Sequence, residues 1–151
     1  MPNHNATAAL TDSLNGLLAD LFALYIKTKN FHWHVRGPQF RDLHLLFDDQ
    51  AGQIFALTDI VAERIRKNDA EALTGIGAIA AKTRIKDQPS ASLAADEMIA
   101  ELREDNKTLV TALREVKAAA TAAGDNATEG AADDWTDQAE TRVWFLSSLL
   151  R

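Results

Sequence analysis

The sequence predicts an all-α fold: four long helices in a bundle, with a short helix in the connection between the second and third. Three observations lead there. Only three Pro and seven Gly occur in 151 residues, and Ala, Leu and Glu abound, a composition that favours helix over strand. Apolar residues recur at helical spacing over four long stretches. The breakers between those stretches are few: Gly37-Pro38, a less regular region at 69–92 that contains Pro89, and Gly124. The length is that of one domain, enough to bury about two-thirds of the unfolded surface.

Residues 1–7 are polar and are expected as a short flexible arm. From about Ala8, Leu10, Leu14, Leu17, Leu18, Leu21, Phe22, Leu24 and Tyr25 form a wide apolar stripe, and no breaker follows before Gly37-Pro38, which marks a tight helix–helix turn. A second helix is expected from about Gln39 to Asn68, with Phe40, Leu43, Phe47, Ile54, Leu57, Val61 and Ile65 facing inward. So short a turn makes the two helices an antiparallel hairpin. Within the next connection, Gly75–Lys82 is apolar enough for a short helix. A third helix starts near Leu93–Asp96 and runs to about Ala123, with Asp96, Glu97 and Glu101 in its first turns, where the helix dipole favours acids. Gly124 stops it. Asn126-Ala-Thr-Glu129 reads as a capping box opening the fourth helix, which carries Trp135, Ala139, Val143, Leu146 and Leu150 in register to about Leu150.

Composition excludes several function classes. There is no Cys, so disulfides, iron–sulfur clusters and thiolate zinc sites are ruled out, and any metal must be held by His, Asp, Glu or backbone oxygen. Sixteen Lys and Arg against 22 Asp and Glu give a net charge of −6, a poor footprint for nucleic acid. Without a basic leader or an unbroken run of apolar residues, the protein is expected to be soluble and cytoplasmic.

The chemistry concentrates between Asn30 and Arg64. His44 and Asp48 are four residues apart on the second helix, as are Asp59 and Glu63, so each pair shares a face. Asp48 and Asp59 are eleven residues apart, close to three turns, which puts both pairs on the same face. Their centres nevertheless lie roughly 22 Å apart along the axis, too far to share a metal. Two-fold symmetry resolves the conflict: if the helix packs antiparallel to its copy in a second subunit, the His44/Asp48 half of one meets the Asp59/Glu63 half of the other, twice per dimer. His32 precedes Gly37 by five residues and His44 follows it by seven, so the hairpin brings them level. Two imidazoles and three carboxylates without sulfur suit Fe(II), Mn(II) or Zn(II). Taken singly, each motif has a plainer reading as a hydrogen-bonded histidine or a solvated charged face. His4 and His34 stand outside the set, His4 in the arm and His34 pointing away from His32.

These residues also carry a family resemblance. His32-Trp33-His34-Val35-Arg36-Gly37, Leu43-His44 with Asp48, and Asp59-Ile60-Val61-Ala62-Glu63-Arg64 resemble the two signature segments of the Dps proteins, the mini-ferritins. The likeness covers the whole chain, including the short helix and the run Trp144-Phe145-Leu146. His34 stands where the family often has Asn, a position that is not a ligand. The resemblance implies a ferritin-like four-helix subunit built from two-fold dimers into a hollow dodecamer. It implies ferroxidase centres at the dimer interfaces, with His32, His44 and Asp48 from one chain and Asp59 and Glu63 from its neighbour. The implied activity is oxidation of Fe(II), preferentially by hydrogen peroxide, with storage of the ferric product as mineral, which protects against oxidative damage. Trp33 and Tyr25 stand either as electron donors when only one iron is bound or as core aromatics. Asp125, Glu129, Asp133, Asp134 and Asp137 stand either as acids lining a pore for incoming iron or as ordinary complement to a helix dipole. Some members of the family bind DNA through basic tails. The arm here has none and the charge is negative, so direct DNA binding is not expected; the competing reading is a DNA-compacting nucleoid protein with weak ferroxidase activity.

Overall fold

The computed structural model describes residues 3–150 and, among them, five helices and no strand. They are α1 (His4–His34), α2 (Phe40–Lys67), α3 (Ile76–Lys82), α4 (Ala95–Ala123) and α5 (Asn126–Ser148). α1 packs on α2, α4 and the short α3, and α4 packs on α5, so the four long helices form a bundle in which α3 rides on the one long crossover.

The first helix starts earlier than its periodicity suggests. Asn3 caps it by accepting from the Asn5 amide at 3.0 Å, and the Thr7 amide reaches the Asn3 carbonyl at 3.0 Å, so 4–7 belong to α1 rather than to an arm; Met1 and Pro2 lie outside the described residues. α1 also contains an 18-residue window with a mean hydropathy of 1.2, a length and apolarity compatible with a membrane span. Its stripe is instead the centre of the bundle: Leu10, Leu14, Leu17, Leu18, Leu21, Leu24 and Phe31 are all buried.

The turn after α1 needs Gly37, which sits at φ 113, a region that side chains with a Cβ rarely enter. The expected inward residues of α2 are buried from Leu43 to Ile65, but at its start Phe40 is 45% exposed, with its ring stacked on His44 at 5.1 Å. Gly124, at φ 73, ends α4. The cap of α5 is one residue before the expected box. Asp125, not Asn126, accepts from the Thr128 amide at 3.1 Å.

Ile85 anchors the crossover in the core and Leu73 and Leu93 pack against it, and α1 adds hooks from buried polar side chains. Asn15 bonds the Glu71 carbonyl and the Leu73 amide at 3.0 and 3.1 Å. Asp20, fully buried, accepts from the Arg84 amide at 2.7 Å and from its guanidinium, Nη2, at 2.8 Å. Lys27 donates to the Lys86 carbonyl at 2.9 Å and pairs with Asp105 at 2.8 Å and Glu101 at 3.2 Å. A buried ammonium is tolerated only when so neutralised and bonded. Together with Ile85 these hooks fix where the crossover lies.

At the other end of α2, Arg64 makes a two-pronged contact with Asp125 at 2.8 and 2.9 Å, and Asn68 adds 2.9 Å. Burial by itself raises the Asp125 carboxyl, but the bonds from Thr128, Asn68 and Arg64 outweigh it and hold it well below the usual carboxylate range. A depressed native pKa contributes stability above the unfolded value near 4, and that contribution is lost as pH falls through the native value. Asp125→Asn is therefore expected to cost about 2 kcal/mol at pH 7 and to flatten the loss of stability below pH 4. Urea melts from pH 7 to 2 check this; parallel pH profiles for the two proteins would refute it.

Candidate metal centre

The hairpin turn brings the two expected histidines together. The imidazoles of His32 and His44 stack with centroids 3.9 Å apart and planes 13° from parallel. Each ring bonds the other residue's backbone: His32 Nδ1 lies 2.6 Å from the His44 carbonyl oxygen, and His44 Nδ1 lies 2.7 Å from the His32 carbonyl oxygen. A carbonyl oxygen can only accept, so both Nδ1 atoms carry the hydrogen. In the neutral rings both Nε2 lone pairs are then free, the arrangement in which metal-binding histidines are commonly held. His32 is 9% exposed and His44 half-buried, so neither ring is free to turn in open solvent.

Asp48 stands beside them. Its Oδ1 is 3.8 Å from His32 Nε2 and accepts from the Lys29 ammonium at 2.8 Å. That bond, more than the Coulomb attraction of Lys29 and the two histidines, holds the Asp48 carboxyl below its ordinary range. Among the described residues of a single chain, no group of three or more His, Asp and Glu side chains is drawn close enough to hold a metal ion. His32, His44 and Asp48 are therefore adjacent without enclosing a site.

Asp59 and Glu63 lie further along α2. Both are exposed, and neither has a hydrogen-bond or ion-pair partner among the described residues. Helical phase places them on the face that carries Asp48. Around these residues the surface of α1 and α2 is unusually apolar for solvent: Ile26 and Trp33 on α1 and Phe55 and Ile60 on α2 are roughly half exposed or more. An apolar patch of this kind, rimmed by unpaired charge, marks a contact surface.

The remaining expected residues divide. Trp33 is 59% exposed and so is not a core aromatic of the subunit; the Lys29 ammonium sits 5.9 Å from its ring centre. Tyr25 is half-buried against Phe55, with centroids 4.9 Å apart. Of the five acids near the start of α5, Asp125 is turned inward onto Arg64, with its side chain 9% exposed, and cannot line a pore. Asp133 pairs with Lys117 at 2.6 Å and Asp134 accepts from Gln138 at 2.9 Å. Asp137 is exposed and Glu129 half-buried. His34 bonds back to Asn30 at 2.8 Å and His4 opens α1, exposed, both away from the stacked pair. Lys29 is the residue the sequence reading missed, although it lies three positions before His32 and hence on the same side of α1.

Comparison with known proteins decides the family. Residues 11–151 match the model of the ferritin-like domain. A DNA protection during starvation (Dps) protein of Brevibacillus brevis is 31% identical over 137 residues, 91% of each chain. The chain belongs to the Dps family of ferritin-like proteins. The crystal structure of antigen TpF1 from Treponema pallidum matches this Dps chain with a TM-score of 0.96 at 27% identity, covering 100% of this chain and 97% of that one. A Dps protein from Vibrio cholerae O1, described as one of the ferritin-like diiron-carboxylate proteins, matches with a TM-score of 0.93 at 25% identity, covering 99% and 94%. The stacked histidines, Asp48 and the two outward acids of this Dps chain thus sit on a ferritin-like bundle.

Proposed function

We propose that this chain is the subunit of an iron-oxidising, iron-storing shell that removes Fe(II) and hydrogen peroxide together. The observation that carries the reading is the division of donors on α1 and α2. His32 and His44 have their Nε2 atoms freed beside Asp48, while Asp59 and Glu63 stand exposed, without a partner among the described residues, on the same face about three turns away. An antiparallel pairing of α2 with its copy completes both sets at once and buries Ile26, Trp33 and Phe55. A monomer then has no complete site, and assembly precedes activity. A closed shell needs further contacts, for which exposed Trp144 and Phe145 on α5 supply apolar surface; the family implies a dodecamer.

The donors fit iron as substrate: imidazole nitrogens and carboxylates without thiolate suit Fe(II), and carboxylates favour Fe(III) over Fe(II), which makes oxidation easier. Two Fe(II) give two electrons to one peroxide, which takes up two protons and leaves as two waters, so no hydroxyl radical is released. In this reading Trp33, beside His32, and Tyr25 would give an electron when only one iron is present. Glu129 and Asp137 remain as acids for drawing iron inward. Protection follows from chemistry rather than from covering DNA, because the net charge of −6 repels a polyanion.

Stopped-flow absorbance after mixing the assembled protein, Fe(II) and peroxide should show ferric product far faster than in buffer, and faster than with dioxygen. Light scattering should give roughly 200 kDa for a dodecamer of the 16.5 kDa chain. The preparation should not retard DNA in a low-salt gel shift. Oxidation at the buffer rate ends the ferroxidase reading, and retarded DNA restores the nucleoid one.

A further inference from the structure

We propose that the interior of the bundle holds a small monovalent anion, a halide such as chloride, on the Arg142 guanidinium and the Gln50 amide. His32, His44, Asp48, Asp59 and Glu63 take no part, and the ion is held whether or not iron is oxidised.

Arg142 on α5 is 2% exposed, yet no carboxylate bonds it among the described residues. Its Nε donates to Asn106 Oδ1 at 2.8 Å, and Asn106 is turned that way because its own Nδ2 donates to the Leu102 carbonyl at 2.8 Å. Nη1 makes only a long contact, 3.3 Å, with Gln53 Oε1, and the buried Nη2 has no partner among the described residues. Neutral oxygens thus bond the guanidinium and nothing neutralises it. Burial pushes it down to about 10, which still leaves it charged at neutral pH. A buried charge is costly unless a counter-charge joins it. Lys27, also buried, has Glu101 and Asp105 for that purpose; Arg142 has only what arrives from solution.

Gln50 supplies the second donor. It is 2% exposed, and neither its amide nitrogen nor its amide oxygen has a partner among the described residues. α2 and α5 run antiparallel, as the Arg64–Thr128 and Gln53–Arg142 contacts show. Gln50 lies one turn before Gln53, on the buried face of α2 between Phe47 and Ile54. Two buried amino groups, one of them charged, therefore stand close together with nothing to receive their hydrogens. A water would take those hydrogens but leave the charge, whereas an anion answers both. Close packing of the interior suits a halide rather than sulfate or phosphate. Gln53 is exposed, so its long contact with Nη1 is the way in, and its side chain swings out to admit the ion. The bound ion then ties α2 to α5 in mid-bundle, as Arg64 and Asp125 tie them at one end.

Thermal melts of the assembled protein in sodium chloride or sodium gluconate, at one pH and ionic strength, read the binding without iron. Chloride at about ten times its dissociation constant should raise the wild-type midpoint by about 3 °C or more over gluconate. Arg142→Met, apolar and of similar length, should lose that difference. Gln50→Leu should lose roughly half of it or more, and serves if the methionine variant fails to assemble. A wild-type difference no larger than that of the variants overturns the site. Crystals grown in bromide separate ion from water. Anomalous scattering should place bromide within about 3.5 Å of Arg142 Nη2. Bromide at the surface alone, with water or nothing beside Nη2, means an adventitious ion only and overturns the proposal.

Discussion

His44→Ala and Glu63→Ala should each slow iron oxidation at least about a hundredfold, and mixing the two inactive proteins should bring activity back. The first effect follows from losing one donor of a small set, since even outer-shell changes at metal sites cost about ten- to a hundredfold. The second follows from where the donors sit. If each site takes His32, His44 and Asp48 from one chain and Asp59 and Glu63 from the other, a mixed dimer carries both defects in one site and neither in the other. Random reassociation of equal amounts should therefore restore about a quarter of wild-type sites. A site built within one chain gives no recovery at all, because every chain then carries a defect of its own. The measurement is peroxide-dependent ferric absorbance after unfolding the variants together and refolding them. Activity no higher than in the separate variants would return all five residues to one subunit, against the roughly 22 Å between the pair centres on α2.

The parts legible in the sequence are those that repeat. Helical spacing located α2 and α4 to within a residue or two, because their apolar faces are long and bounded by Gly37-Pro38, Pro89 and Gly124. The meeting of His32 with His44 was legible too, since residue counts on either side of one tight turn determine what comes level. Single side-chain choices were not. Asp125 and Asn126 are both good helix caps, and only the Arg64 guanidinium arriving from α2 selects Asp125. Asn15, Asp20 and Lys27 interrupt the apolar stripe of α1 as if they were flaws, yet each holds a crossover residue more than 50 positions away. Lys29 is of the same kind: an exposed-looking lysine whose meaning depends on the helix opposite. Periodicity reports which face is buried, not what a polar group on that face bonds.

Gly52→Leu should leave the subunit folded and destroy the assembly. In the proposed pairing, the dyad that brings His44/Asp48 to Asp59/Glu63 would cross α2 near its midpoint, between residues 53 and 54, and Gly52 is exposed beside that point on the face of Asp48 and Asp59. Inside the subunit this glycine is a cost of roughly 1 kcal/mol against alanine, and a Cβ placed there meets nothing within 4 Å. Nothing in the single chain explains it. Next to a two-fold axis the same residue faces its own copy, and the absence of a side chain lets two helices approach closely; a leucine there is introduced twice, at one contact. Gly52→Ala should thus raise the thermal stability of any dissociated subunit, while Gly52→Leu leaves species near the 16.5 kDa chain mass in light scattering and no peroxide-dependent oxidation. The two readouts should fall together, because a chain that cannot pair across this face has His32 and His44 without Asp59 and Glu63. If Gly52→Leu assembles normally, the dyad does not cross α2 at this point, and the pairing of half-sites fails with it.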